Sequence, residues 1–344
     1  MAVLYLMEQN AILRKSGDRI IFCKRPRVKR RTPGLREGDI LMEWPCEDVD
    51  HVMVFGNIQI TTQTLHQLLS HGIETAIFTL NGKLIGQVTP PGGKNILLRQ
   101  KQYEKYKDKH FVSEFSKAIV HLKVLSALNL LHDYHKNYPD KITGQEIAEI
   151  QNTMDKIKDE PNLDSLRGIE GAVTAKYFNI LGRILTDEWD FSVRSRRPPK
   201  DGPNAVLSFG YTIVTSELRS LLDGVGFDPF LGYYHQVHYG RPSLALDILE
   251  IFRHCFIDRL MLRLFNLSIL TKDDFNQVGK GGVYLSKSGK GKFFTQYEQM
   301  VGQYKSESMN QDNTIKFRKH FQNTINCLMK TIMNDEPFIP RFDL

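Results

Sequence analysis

Cysteine is scarce and scattered: Cys23, Cys46, Cys255 and Cys327 are the four present, and no two stand in a C-x-x-C pair. That usage excludes a zinc ribbon and implies reduced thiols in an intracellular protein. No apolar run approaches the roughly 18 residues needed to cross a bilayer. The amino-terminal MAVLYLMEQNAILRK places an acid and amides within its apolar stretch, unlike a secretory signal, so a cytoplasmic location is expected. Internal repeats and low-complexity tracts are lacking. Gly279-Lys280-Gly281-Gly282 is not embedded in G-x-x-x-x-G-K-[ST], which excludes a nucleotide P-loop.

What is present is an ordinary globular composition, 41% apolar and 25% charged over 344 residues, enough chain for two cores. The net charge of +7, with an isoelectric point near 9.0, favours a polyanionic partner.

Strand patterns come first along the chain. Val3 to Met7, Ala11 to Arg14 and Arg19 to Cys23 are short alternating runs and predict a meander. KRPRVKRRTPGLREGD follows, with six Lys or Arg between Lys24 and Arg31, either a solvated hairpin extension or a phosphate-contacting arm. Val52 to Ile60 reads as a further strand, and Thr61-Thr62 opens a short helix ending at Gly72. Asn81-Gly82 joins Thr75 to Leu80 and Lys83 to Val88 as a hairpin. Residues 1–90 therefore predict a β domain, and Pro90-Pro91-Gly92-Gly93 leads into a linker over 91–96.

Helical patterns fill residues 97–344, which makes the fold class α+β. They include Val112 to Tyr134, a helix opened by the capping box Thr143-Gly144-Gln145-Glu146, and Leu163 to Leu185. Asn204 or Ser208 is expected to cap a helix running through Leu222, Thr271-Lys272-Asp273-Asp274 to open another, and Phe293 to Tyr304 and Asn313 to Met333 to close the chain. Glu170 is flanked by Gly168 and Gly171, and glycines inside a helix lower its stability by about 1 kcal/mol each unless something packs closely against them. That singles out Glu170, with an acid on an exposed turn as the alternative. Arg194, Arg196 and Arg197 lie in FSVRSRRPPKDGPN, a basic loop suited to phosphate oxygens.

Gly232 to Arg253, GYYHQVHYGRPSLALDILEIFR, is the candidate for the chemistry. Its second half has the pattern of an amphipathic helix with Asp247 and Glu250 at i and i+3 on one face, and His235 lies just upstream. Imidazole beside carboxylates is a ligand set for a divalent cation, Mg²⁺ or Mn²⁺ by its oxygen donors. Spacing alone leaves open a solvated acidic face, and His235 with His238 as a structural pair. His132 and His135, at a lysine-rich helix end, read as helix-dipole or solvent partners.

RGIEGAVTAKYF around Glu170, SRRPPKDGPNAVLSFGY from Ser195 to Tyr211, and GFDPFLGYYHQVHYGRPSLALDILEIFR from Gly226 to Arg253 together resemble the CRISPR-associated integrase and endonuclease family Cas1. VFGNIQITTQTL, NILLRQKQY and DDFNQVGKGGVYL are similar to the same family in the same order, so the resemblance runs along nearly the whole chain. It implies a β-sandwich-like N-terminal domain with a short helix and a larger all-α catalytic domain. It further implies a homodimer that joins a small partner, Cas2, to insert short foreign DNA segments, the spacers, into a CRISPR array. Motif by motif, Glu170, His235 and Glu250 fall on the family's metal ligands and Asp247 on the further acid of the same helix; His238 has no counterpart. The chain departs in its longer basic stretch from Lys24 to Asp39 and in the Gln after His235, where many relatives carry an acid.

Metal-assisted phosphodiester chemistry fits these residues, because attack by a DNA 3′-hydroxyl or by water needs no serine or cysteine nucleophile. Arg194, Arg196, Arg197, Lys200, Arg241, Lys287 and Lys290 are expected to hold backbone phosphates of double-stranded DNA. No membrane partner is expected. Self-association through the strand edges of residues 1–90 is expected. The competing reading is a non-catalytic DNA-binding scaffold of a spacer-capture complex, for which three ligands in one place would be superfluous.

Overall fold

Alternating burial builds the first sheet layers. Leu4 and Leu6 of β1 (Ala2–Leu6), Ala11 and Leu13 of β2 (Ala11–Ser16) and Ile20 and Phe22 of β3 (Arg19–Lys24) all turn into one core. The computed structural model describes residues 2–24, 39–91, 95–158, 160, 162–186, 188–189, 191, 193–279, 281–302 and 317–340. The basic stretch expected over 24–39 lies outside these residues except at its two ends. The chain divides into two units, Met1–Gly92 and Gly93–Leu344.

The first unit adds β4 (Ile40–Pro45), β5 (Val49–Phe55), β6 (Gln59–Ile60), α1 (Thr62–Ser70), β7 (Glu74–Phe78) and β8 (Leu84–Val88). Two four-stranded sheets result, ordered β1-β5-β7-β8 and β4-β3-β2-β6, with one core drawing on both. The expected meander is only half present. β2 and β3 form the antiparallel hairpin, turning at Gly17, but β1 runs parallel to β5 with Leu4 opposite Val52. Asn10, at a left-handed φ of 59°, redirects the chain between the two sheets. The single strand expected over Val52 to Ile60 is likewise broken, because Gly56 at φ 84° ends β5 and starts the turn into β6. Asn81-Gly82 does join β7 to β8, with Thr79 N donating to Lys83 O at 2.8 Å.

The second unit begins with α2 (Ile96–Lys107), α3 (Lys109–Asn137), α4 (Gly144–Asp155), α5 (Leu163–Ile184) and α6 (Gly202–Val225). Thr143 and Glu146 form the capping box of α4. The cap of α6 is Asp201 rather than Asn204 or Ser208: its side chain accepts the Asn204 N–H at 2.7 Å, while the Asn204 side chain is used elsewhere. α7 (Ser243–Phe252) follows, then a π-helical segment over Arg253–Asp258 and α8 (Arg259–Asn266). The helix expected from Thr271 is a single 3-10 turn over Lys272–Asp274. Its capping box hands the chain to an antiparallel hairpin of β9 (Phe275–Val278) and β10 (Gly282–Leu285), because Gly279 and Gly281 at positive φ make the turn. α9 (Lys287–Val301) and α10 (Phe317–Asn334) complete the described chain.

α7 occupies the centre of this unit, packed on α3 and α6, with every residue but Leu246 buried. Leu244, Ile248, Leu249, Ile251 and Phe252 each contribute about 1.5–3 kcal/mol by leaving water. Asp247 and Glu250 are carried inside with them, at 0% and 3% exposure, so they do not form a solvated acidic face.

Candidate active site

Local packing fixes the approach to α7. Gln102, fully buried on α2, donates to the carbonyls of Asp228 and Leu231 at 2.9 and 3.1 Å and accepts the Asp228 N–H at 2.8 Å, holding the loop that enters the site. Gly232 then passes so close to α7 that a Cβ would stand 2.7 Å from Ser243 and 2.9 Å from Asp247 Oδ2. Only glycine fits there.

That close passage lets Asp247 receive four donors. Its Oδ2 takes the backbone N–H of Tyr233 at 2.7 Å and of Tyr234 at 3.1 Å, and its Oδ1 takes the His235 N–H at 2.8 Å and His235 Nδ1 at 2.7 Å. The carboxylate is thereby consumed as a cradle for residues 233–235. The Nδ1 contact assigns the proton to that nitrogen and aims Nε2 at Glu250 Oε1, 3.5 Å away. A bare lone pair and a carboxylate oxygen repel at this separation.

Glu250 is the meeting point of three elements. Arg253 Nη2 lies 2.9 Å from Glu250 Oε1, and Lys123 Nζ, from α3, lies 2.8 Å from Oε2. Oε2 is buried and faces that ammonium. Burial pushes the Glu250 carboxyl up, but Arg253, Lys123 and His235 outweigh it and hold the group well below the usual carboxylate range. The same Lys123 ammonium contacts Glu170 Oε1 on α5, which also accepts Thr174 Oγ1 at 3.0 Å.

Glu170, His235 and Glu250 are thus brought together, two carboxylates and an imidazole, with Asp247 behind the imidazole. Among the described residues no three histidine, cysteine, aspartate or glutamate side chains stand at ligand spacing around one point, because Lys123 sits between the two glutamates. The donor chemistry fits a divalent ion nonetheless: hard oxygens, one nitrogen with an oriented tautomer, and a buried carboxylate oxygen that already faces a cation. The expectation of close packing at Gly168 and Gly171 is not met. A Cβ at either would have nothing within 4 Å, so both are exposed positions on α5 beside Glu170.

Behind Glu250 lies a polar support. The Arg253 guanidinium stands 4.7 Å over the Tyr211 ring, and Tyr211 and Tyr177 both donate to Asp258, the latter at 2.9 Å. Arg194 belongs to this support rather than to the surface. Its Nη1 donates to Asn204 Oδ1 at 2.8 Å and its Nη2 to Ser208 Oγ at 3.1 Å, and its guanidinium lies 5.5 Å from the Tyr211 ring. Lys290 is likewise buried and does not present itself to a phosphate. Arg196, Arg197, Lys200 and Lys287 are exposed and Arg241 is half-buried. An open groove of about 530 Å³ reaches His235 and Tyr233 and is lined by Tyr106, Lys107, Lys109 and Arg167.

Lys123 and Arg253 escaped the reading of the sequence. Lys123 carries a usable signal: it falls on the apolar stripe of α3 formed by Ile119, Val120, Val124 and Ala127, where a solvated lysine does not belong. Arg253, three residues after Glu250, is the i+3 counterpart that the acidic helix needed.

Comparison with known proteins meets this geometry from another side. A family profile described as CRISPR associated protein Cas1 matches residues 4–299. The CRISPR-associated endonuclease Cas1 1 of Thermodesulfovibrio yellowstonii is 34% identical over 310 residues, covering 89% of this chain and 93% of its own. Two solved structures have the same fold. One is a CAS1 protein from Thermotoga maritima, with TM-score 0.80 at 24% identity over 99% of this chain and 100% of its own. The other is a casposase bound to integration product, with TM-score 0.83 at 21% identity over 100% of this chain and 95% of its own. The two-sheet unit, the helical unit and the match along nearly the full length agree, and the chain belongs to the Cas1 family of CRISPR-associated proteins.

Proposed function

We propose that this protein is a metal-dependent DNA integrase and endonuclease that inserts short DNA segments into a CRISPR array. The observation that carries the reading is that the Lys123 ammonium gathers Glu170 and Glu250 while His235 Nε2 faces Glu250, beside a groove lined with Lys107, Lys109 and Arg167. Its named relative is an endonuclease, and the casposase of like fold was captured with an integration product.

Glu170, Glu250 and His235 Nε2 would hold Mg²⁺ or Mn²⁺, and that ion would stabilise charge on phosphate oxygens and at the attacking or leaving hydroxyl. The chain's own groups do the rest. Asp247 orients the imidazole through Nδ1 and pins the backbone that carries it. Arg253 holds Glu250 ionised and aimed. Tyr234, buried, packs edge-on against the His235 ring with centroids 5.3 Å apart and helps fix its plane. Lys107, Lys109 and Arg167 in the groove, and exposed Arg196, Arg197 and Lys200, supply phosphate contacts that position a duplex without reading its sequence.

The working assembly in this reading is a homodimer built through residues 1–90 and joined to Cas2. Ile85 on the edge strand β8 and Met42 on the edge strand β4 are exposed apolar side chains suited to such pairing. The test incubates the protein, with and without Cas2, with a supercoiled array plasmid and a duplex ending in either a 3′-hydroxyl or a 3′-deoxy terminus. Covalent joining of the hydroxyl-ended duplex alone is the expected result. Equal joining of both ends, or none with either, would remove integration as the function.

A further inference from the structure

Lys123 is buried, at 6% exposure, and its ammonium stands between Glu170 and Glu250. α3 presents it from a stripe whose neighbours Ile119, Val120, Val124 and Ala127 are all buried. An ammonium taken out of water at such a position carries a large desolvation cost, and a hydrocarbon side chain would pack there without it. The two carboxylates it faces explain its presence.

We infer that Lys123 is a positioning residue that serves as a built-in counter-cation, competing with the divalent ion for Glu170 and Glu250 and lowering the metal affinity of the site. The inference rests on the proposed role of those glutamates as metal ligands. The ammonium already lies 2.8 Å from the buried Glu250 Oε2 and contacts Glu170 Oε1 as well. An ion held by the same two carboxylates would meet a like charge unless the ammonium withdrew. The four-carbon stem permits withdrawal, so uptake is opposed rather than blocked. Arg253 binds the other Glu250 oxygen, Oε1, at 2.9 Å. The carboxylates therefore stay compensated before metal arrives, and ion uptake requires a concentration that outcompetes an internal charge.

The test uses the full chain stripped by chelator and titrated with Mn²⁺ alone, with bound ion counted from the loss of the free-ion electron paramagnetic resonance signal. Lys123→Met keeps the length without the charge, and Lys123→Gln is a second neutral variant should the first fold poorly. Both should bind Mn²⁺ at least about tenfold more tightly than the wild type, since removing one charge at contact range is worth at least that much. Both should also gain more in thermal midpoint from added Mn²⁺. A neutral variant that folds only with Mn²⁺ present is the same result in stronger form. Lys123→Arg, which keeps the charge, should bind no more tightly than the wild type. A supporting lysine without this role would leave affinity unchanged or weaken it in both neutral variants, and that outcome overturns the inference. If the wild type binds Mn²⁺ and Glu250→Gln abolishes it while Lys123→Met does not tighten it, the inference alone falls. If no form binds Mn²⁺, the metal reading falls with it.

Discussion

His235 Nδ1 lies 2.7 Å from Asp247 Oδ1, and the same carboxylate accepts the backbone N–H groups of residues 233, 234 and 235. One buried acid thereby sets both the orientation of the imidazole and the path of the chain that carries it. Asp247→Asn places an amide where only an acceptor fits. Because an outer partner of a ligating histidine typically carries 10–100-fold in metal affinity, Mn²⁺ binding should weaken by about that factor while duplex binding holds. Unchanged Mn²⁺ affinity in a folded Asp247→Asn protein would reduce Asp247 to a purely structural acid.

The basic loop separates into two kinds of arginine. Arg194 is tied to Asn204, Ser208 and the Tyr211 ring, whereas Arg196 and Arg197 face solvent. Arg194→Ala should cost about 1–3 kcal/mol of stability through its orphaned partners. Arg196→Ala and Arg197→Ala should leave the unfolding midpoint in place and each lower the logarithmic salt slope of duplex binding by about 0.9. The reverse pattern in a salt titration and a melt would show the assignment to be inverted.

Much of this was legible in the sequence and some was not, for physical reasons. The motifs around Glu170, His235 and Glu250 carry their spacing openly, and the helix bearing Asp247 and Glu250 announces itself by period. What the pattern could not give is which way the acids point: on α7 they are buried, because α3 and α6 cover both flanks. The apolar stripe of α3 marks Lys123 as out of place, but its partner Glu170 lies 47 residues further on, and side-chain pairing across that separation has no local signature. The pairing of β1 with β5 was missed for the same reason, parallel pairing being a long-range event with no turn to mark it. Arg194 and Arg197 are alike in composition. Their difference arises only when Asn204 is brought against the loop.

Asp274 offers a pH test away from the site. Burial raises its carboxyl, but hydrogen bonds from Lys292 at 2.6 Å and from the Thr271 N–H at 3.0 Å outweigh that and depress it. A group depressed in the folded state stabilises above its unfolded value, about 3.9, and loses that contribution as pH falls through the folded value. Asp274→Asn should therefore be less stable than the wild type by about 1–3 kcal/mol at neutral pH, with the gap closing below about pH 4. A gap that is constant from pH 7 to pH 3 in denaturant melts would contradict it.

Self-association should be visible directly. If the exposed strand edges of the first unit pair two protomers, sedimentation at micromolar concentration should give a dimer, and charged substitutions Ile85→Lys and Met42→Lys should shift it towards monomer. A monomer for the unmodified chain would contradict the dimer.

The most direct measurement is strand transfer by His235→Ala and Glu250→Ala beside the wild type, in Mn²⁺, in Mg²⁺ and in EDTA, with duplex binding measured in parallel. The account predicts joined product from the wild type in either metal, none in EDTA, and none from either variant, while all three proteins still bind duplex. Product at wild-type rate from either folded variant, or from the wild type in EDTA, would contradict it.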